Sequence, residues 1–357
     1  MLKRRVRRRA SRSLLWGLVA FAGLQLVLAF AVERRLPEVR DPEYADKLKR
    51  LRTCLAQAPG HPLVLMLGSS RTFEGFQATR LSKAPELAGT VAFNFGLTGC
   101  CSFLELVCLH RLLDSGFRPD LLLLEVLPAS LNQARSVPLE EDWVDGSRLK
   151  TSEVATLEAY HSEPARLLRH WCRSRGVPCA WNGAELQQHF GLDLRQPRAA
   201  RKPDEIDSHG WRCGFQDGVT AENRRHQIDF TRWQYGRVFG DFHLALGPAR
   251  ALRDVLNCCR KEQIKTMLVL MPEGPAFRSW YTLSMRAGLD CFLQSLKNEY
   301  DLPLIDARAW LDEEESFRDS HHLLPSGASR FTDRLAIETG LFRARLAQAQ
   351  IEPRLRD

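Results

Sequence analysis

Residues 14–32, LLWGLVAFAGLQLVLAFAV, form an unbroken apolar run in which Gln25 is the one polar side chain and no residue is charged. As a helix this run is about 28 Å long, close to the ~30 Å hydrocarbon core of a bilayer. Its flanks are unequal. Lys3, Arg4, Arg5, Arg7, Arg8, Arg9 and Arg12 precede it without an acid among them, whereas Glu33, Arg34 and Arg35 follow. That asymmetry predicts a basic cytoplasmic tail over 1–13, a single transmembrane anchor over 14–32, and the rest of the chain on the periplasmic side of an inner membrane. A cleaved signal peptide has the same charge order, but its apolar core is shorter and ends in a small-residue cleavage site. Here Ala31-Val32-Glu33-Arg34-Arg35 follows instead.

The tail also explains the charge. The chain carries a formal net charge of +8, and removing the seven cations of the tail leaves +1 for everything after it. A basic body that binds nucleic acid is therefore not expected. Cysteine usage shows no C-x-x-C and no Cys/His spacing of a zinc site, so no metal is expected. Cys172 and Cys179 flank a Gly- and Pro-containing turn and are candidates for a local disulfide.

Residues 33–61 read as a linker helix, started by Pro42, with Leu48, Leu51 and Leu55 on one face, and stopped at Ala58-Pro59-Gly60. Beyond it, short apolar runs alternate with helical patterns. The expected strands are Pro62–Leu67, Val91–Phe95, Leu121–Leu127, Lys265–Met271 and Leu302–Ile305. The expected helices are Ser102–Asp114, Gly247–Lys261, Ser284–Tyr300 and Ser326–Ala347. This rhythm predicts an α/β fold: three layers around a central parallel sheet, formed by 62–129 together with 240–348. The stretch 130–239 is polar, holds Trp143, Trp171, Trp181, Trp211 and Trp233, and reads as an insertion or cap.

In open parallel sheets ligands bind beyond the carboxyl ends of the strands. Gly68-Ser69-Ser70-Arg71-Thr72 follows the first strand, and Asn94-Phe95-Gly96-Leu97-Thr98-Gly99 ends the second. Pro272-Glu273-Gly274 follows the fourth, and Asp319-Ser320-His321-His322 comes after the fifth. A serine hydroxyl needs an imidazole to take its proton, and the imidazole needs an acceptor on its other nitrogen. Ser70, His322 and Asp319 supply those parts, with Asp319 and His322 expected on one helical turn. Ser70, at a helix start, and Gly99, lacking a Cβ, are candidates to point backbone N–H groups at a developing oxyanion. Arg71, Asn94, Glu273 and Arg278 are candidates for substrate contact. The first loop is neither a G-x-S-x-G elbow nor a P-loop.

Gly-Ser-Ser, Asn-x-Gly-x-x-Gly and Asp-x-x-His-x4-Gly together resemble the SGNH (GDSL-type) hydrolase superfamily, over roughly 60–130 and 240–345. Within it the chain is similar to membrane-anchored branches such as the DltD-like and alginate-acetylation proteins. The resemblance implies Ser70 as nucleophile, Asp319 as orienting acid, His322 as base, and the Ser70 and Gly99 amides in the oxyanion hole. It implies a tethered esterase or O-acyltransferase without a cofactor, acting on acyl esters, acetyl among them, of an envelope polysaccharide or taking acyl groups from a donor protein. The alternatives are an inactive SGNH-fold protein that binds glycan or partner subunits, and a lipid or thioester hydrolase. Two departures bear on these. The family's third-block Asn is missing after Glu125, where Val126-Leu127-Pro128-Ala129 stands and Asn132 is out of register, and Ser69 replaces the family's Asp.

Overall fold

The computed structural model describes residues 2–133, 138–192, 205–214 and 216–351. In chain order, α1 (Leu2–Arg34), α2 (Pro37–Arg40) and α3 (Pro42–Gln57) lead into β1 (Leu63–Gly68), α4 (Ser70–Gly75) and α5 (Ala78–Ser82). Then come β2 (Val91–Gly96), α6 (Ser102–Asp114) and β3 (Leu121–Glu125). Five helices follow: α7 (Thr151–Glu158), α8 (Pro164–Gly176), α9 (Pro178–Trp181), α10 (Gly183–His189) and α11 (Ala221–Tyr235). The chain continues with α12 (Leu246–Lys261), β4 (Lys265–Leu270), α13 (Pro275–Ser279), α14 (Leu283–Tyr300), β5 (Leu304–Asp306) and α15 (Pro325–Ile351). Two compact units emerge. One comprises Met1–Asp46, Asp145–Ala159 and Glu163–Ala200, the other Lys47–Val144, Tyr160–Ser162 and Arg201–Asp357. The stretch 130–239 is divided between them.

The larger unit is an α/β fold on a five-stranded sheet ordered β2-β1-β3-β4-β5, with every pairing parallel. All residues of β1, β2 and β3 are buried, as unbroken apolar strands covered on both faces must be. On one face Val64, Met66, Leu121 and Val269 pack with Phe76, Leu81, Phe331 and Leu335. Gly68 is registered against Gly96, so the loops leaving β1 and β2 start at the same edge. The direction of strand order reverses between β1 and β3, the place where doubly wound sheets open a crevice beyond their carboxyl ends.

In the smaller unit α1 is continuous past the end of the apolar run. Its C-terminal carbonyls at Val32 and Glu33 accept from the buried Arg40 guanidinium at 3.2 and 2.8 Å, a cation where the helix dipole favours one. Glu33 accepts from Thr151 N and Oγ1 at 2.7 and 2.8 Å. Arg148 pairs with Asp41 at 2.8 Å and with Glu43 at 3.4 Å.

Two local expectations need correction. The buried face of α3 is Tyr44, Lys47, Leu51 and Cys54, with Leu48 and Leu55 only half-buried. A lysine reads as polar in sequence, but the Lys47 ammonium is fully buried, donating to Asn94 O at 2.9 Å and to Gly210 O, over the Phe73 ring. Cys172 and Cys179 are exposed free thiols. They lie on two successive helices, α8 and α9, and not across a closed turn.

Candidate active site

The turn from β1 into α4 is set by packing and hydrogen bonding. A Cβ at Gly68 would overlap Glu125 and Thr72, and one at Gly96 would overlap the Phe73 backbone, so both positions require glycine for close approach. Ser69 is the N-cap of α4, its hydroxyl accepting from Arg71 N at 3.1 Å. Glu125, buried at the end of β3, accepts from Ser69 N at 2.8 Å, Ser69 Oγ at 2.8 Å, Thr72 Oγ1 at 2.6 Å and Thr72 N at 3.3 Å. The carboxylate thus bridges the two strands at the switch point and caps α4 from outside. Asn94 closes the other end of α4, its Nδ2 donating to Thr72 O at 2.8 Å and Phe76 O at 2.7 Å.

This support leaves Ser70 on the rim, where its hydroxyl lies 2.9 Å from His322 Nε2. His322 Nδ1 lies 2.7 Å from Asp319 Oδ2. The three residues the sequence separates by some 250 positions therefore form one hydrogen-bonded line. The helical turn expected for Asp319 and His322 is not there. They occupy a loop closed by a Phe317–Leu323 bridge and by Arg318 N donating to His322 O at 2.9 Å. Within it Ser320 sits in the left-handed region, with φ of 69°. The Asp319 carboxylate shapes the loop by accepting from His321 N at 3.2 Å and His322 N at 2.8 Å, a short polar side chain competing with helix for nearby backbone donors.

Burial pushes the Asp319 carboxyl up, but the His322 and His321 imidazoles outweigh it and hold the group well below the usual carboxylate range. His321, also buried, is driven down to about 3 by desolvation and then by the charge of His322. Its ring stacks on Phe277 at 5.2 Å and meets Tyr235 edge-on at 5.0 Å. Asp319, His321 and His322 are the group among the described residues whose donor atoms are close enough to hold a metal ion, within 4.8 Å of one another. Those atoms are already engaged, since the one carboxylate faces both rings.

Gly99 has φ of +69° and faces Trp143, to which a Cβ would come within 3.5 Å. Trp143 packs edge-on against Tyr235 at 5.6 Å, so an aromatic wall runs from the Gly99 loop to His321. Among the described residues the N–H groups of Ser70 and Gly99 have no acceptor in the protein, although Ser69, Arg71 and Thr72 N–H all have one.

The four side chains expected as substrate contacts have partners within the protein. Arg71 is 1% exposed; it donates to Met271 O and Pro272 O at 3.0 Å and pairs with the fully buried Glu273 at 3.6 Å. Glu273 also accepts from Tyr281 OH at 2.8 Å. Arg278 is spent on the carbonyls of Glu273, Arg308 and Leu311 and on Asp312, and Asn94 is the clamp on α4. Charged residues after a strand looked available to a ligand, but each is tied into the framework that holds the loops. Asn132 is no substitute oxyanion donor either: its amide donates to Val238 O at 2.7 Å and its carbonyl accepts from His243 N at 2.8 Å.

Sequence reasoning missed Glu125, which it used only as a landmark. An acid ending an otherwise all-leucine strand was the signal. It also missed a buried acidic cluster on and near α6. Burial raises Glu105 well above the usual range, helped by Glu125 and Glu140. Glu140, accepting from Phe103 N, is raised to about 8 by burial.

A protein-family model matches residues 244–340. No curated protein matches the chain. Among solved structures, a "putative acylhydrolase" from Bacteroides fragilis is 12% identical, with 82% of this chain and 97% of that one covered and a TM-score of 0.34. A GDSL-like lipase from Bacteroides thetaiotaomicron is 10% identical, with 84% and 99% covered and a TM-score of 0.35.

Proposed function

We propose that the chain is a membrane-anchored serine esterase or O-acyltransferase that works on ester-linked acyl groups of an envelope glycan outside the cytoplasm. The observation that carries this reading is the line Ser70 Oγ, His322 Nε2, His322 Nδ1, Asp319 Oδ2, with spacings of 2.9 and 2.7 Å. His322 takes the Ser70 proton as Oγ bonds to the ester carbon, and the carbonyl electron pair moves to oxygen. The free Ser70 and Gly99 N–H groups meet that oxyanion. Collapse expels the alcohol, which receives the proton from His322 and leaves an acyl-Ser70 ester. A water or sugar hydroxyl, deprotonated by His322, then takes the acyl group and restores Ser70. Asp319 keeps His322 in the tautomer with its proton on Nδ1 and stabilises its cation. The relay calls on no metal or organic cofactor. For the anchor, support comes from one helix among the described residues, Ala10–Arg34, long and apolar enough to cross a membrane, and from the cations before it.

A second reading is a catalytically silent SGNH-fold protein that binds glycan or partner subunits. It is favoured by the engagement of Asn132 elsewhere and by the lack, among the described residues directly after β3, of another side-chain oxyanion donor, since loss of one such donor costs about 10²–10³ in kcat. A fluorophosphonate probe separates the two. Labelling of the wild type that disappears in Ser70→Ala supports the enzyme. No labelling of folded wild type supports the binding protein, and labelling that persists in Ser70→Ala rejects Ser70 as nucleophile.

A further inference from the structure

The apolar stretch of α1 is covered along one line of its C-terminal half. From Leu14 to Leu24 its side chains are exposed, as are Leu26, Val27 and Phe30, but Gln25 and Val32 are buried. What covers them is the α9–α10 segment: Gln25 Oε1 accepts from Cys179 N at 3.3 Å, and Leu186 packs on Val32 and Val39 with Leu28 beside them. Gln25 lies eight residues before Glu33, about 12 Å along the helix axis. With 14–32 set across a ~30 Å hydrocarbon core, as its length requires, Cys179 is drawn about 10 Å below the level at which α1 leaves the membrane. Sliding α1 outward to lift α9 clear would drag Arg12 and then Arg9, Arg8 and Arg7 into hydrocarbon, which charged side chains strongly resist.

The outer surface of the segment fits that depth. Val177, Trp181, Phe190 and Leu192 are 40–55% exposed, and from Val177 to Leu192 the one acidic or basic side chain besides His189 is Glu185. Immediately before it, the amphipathic α8 exposes Arg169 and Arg173. Exposed apolar and aromatic side chains next in sequence to exposed arginines are the composition of a segment lying in a phospholipid interface.

We propose that α9 and α10 form a wedge inserted into the phospholipid leaflet on the C-terminal side of α1, with Trp181 and Phe190 among the acyl chains and the α8 arginines at anionic headgroups. The proposal rests on reading α1 as a spanning anchor, and two tryptophans let each be tested separately. The full chain is reconstituted in phosphatidylethanolamine–phosphatidylglycerol vesicles containing lipids brominated on their acyl chains. The emission belonging to Trp16 and to Trp181 is obtained by difference from Trp16→Phe and Trp181→Phe, both at exposed positions where a smaller aromatic ring leaves the fold intact. The expected result is that brominated lipid removes most of both components while aqueous iodide leaves the Trp181 component unchanged. If Trp16 is quenched by the lipid but Trp181 only by iodide, the wedge is wrong and the anchor stands. If brominated lipid quenches neither, the anchor reading fails and the wedge with it.

Discussion

Replacing Glu125 tests whether a strand-end carboxylate holds the nucleophile turn. Its Oε2 accepts three donors, Ser69 N, Thr72 N and Thr72 Oγ1, while Oε1 accepts the Ser69 hydroxyl. Glu125→Gln can keep an oxygen where three donors converge and turns its amide toward Ser69 Oγ, which loses one hydrogen bond to a charged acceptor, about 1.5–3 kcal/mol. Glu125→Leu strands two buried backbone N–H groups at about 1–3 kcal/mol each, with two hydroxyls losing an acceptor besides. At about 2–4 °C per kcal/mol for a unit of this size, the Gln variant melts about 3–12 °C below wild type and the Leu variant about twice as far below. Thermal unfolding followed by circular dichroism reads the order, and the fluorophosphonate labelling rate reads the position of Ser70. In Glu125→Leu that rate falls even at temperatures where the protein remains folded. Equal melting of the two variants, or labelling at the wild-type rate in Glu125→Leu, would refute the reasoning.

Two further outcomes follow from the same geometry. Asp319→Asn leaves an acceptor for the loop N–H groups but can present an amide to His322 Nδ1, favouring the wrong tautomer. Hydrolysis of an activated ester should fall about 10⁴-fold at a temperature where circular dichroism shows the variant folded, and a loss below tenfold would remove Asp319 from the relay. Glu140 is raised to about 8 in the folded protein from 4.5, so between those values the folded state holds a proton the unfolded state has released. Stability contributed by this group is therefore full below pH 4.5 and declines as pH rises toward 8, by up to about 1.4 kcal/mol per pH unit. Urea midpoints from pH 5 to 8 should drop for wild type and drop less for Glu140→Gln; superimposable profiles would contradict the assignment.

Much of the architecture was legible because it depends on periodicity. Five apolar runs ending near glycine, proline or an acid gave strands within a few residues of those observed, most sharply for β1, β2 and β3, since a strand buried on both faces can tolerate little else. Ser70, Asp319 and His322 were legible as types following strands, because a parallel sheet carries whatever follows its strands to one edge. The misreadings share a cause. Arg71, Asn94, Glu273 and Arg278 look like ligand contacts when only their place in the chain is known, and whether a charge faces solvent or a buried carbonyl depends on partners such as Met271 O and Arg308 O, far away in sequence. Lys47 was hidden for the same reason, its acceptors lying 47 and 163 residues away.

The amino-acid order by itself determined where an apolar span stands, which segments alternate as strand and helix, and which residue types follow each strand, because these follow from local composition and period. Tertiary structure decided the rest: that Asp319 bends its loop instead of starting a helix, that Glu125 braces the turn bearing Ser70, and that a hydroxyl and an imidazole 252 residues apart come within 2.9 Å. Such contacts arise only when the sheet closes, since no local preference specifies which distant donor a buried acceptor will meet.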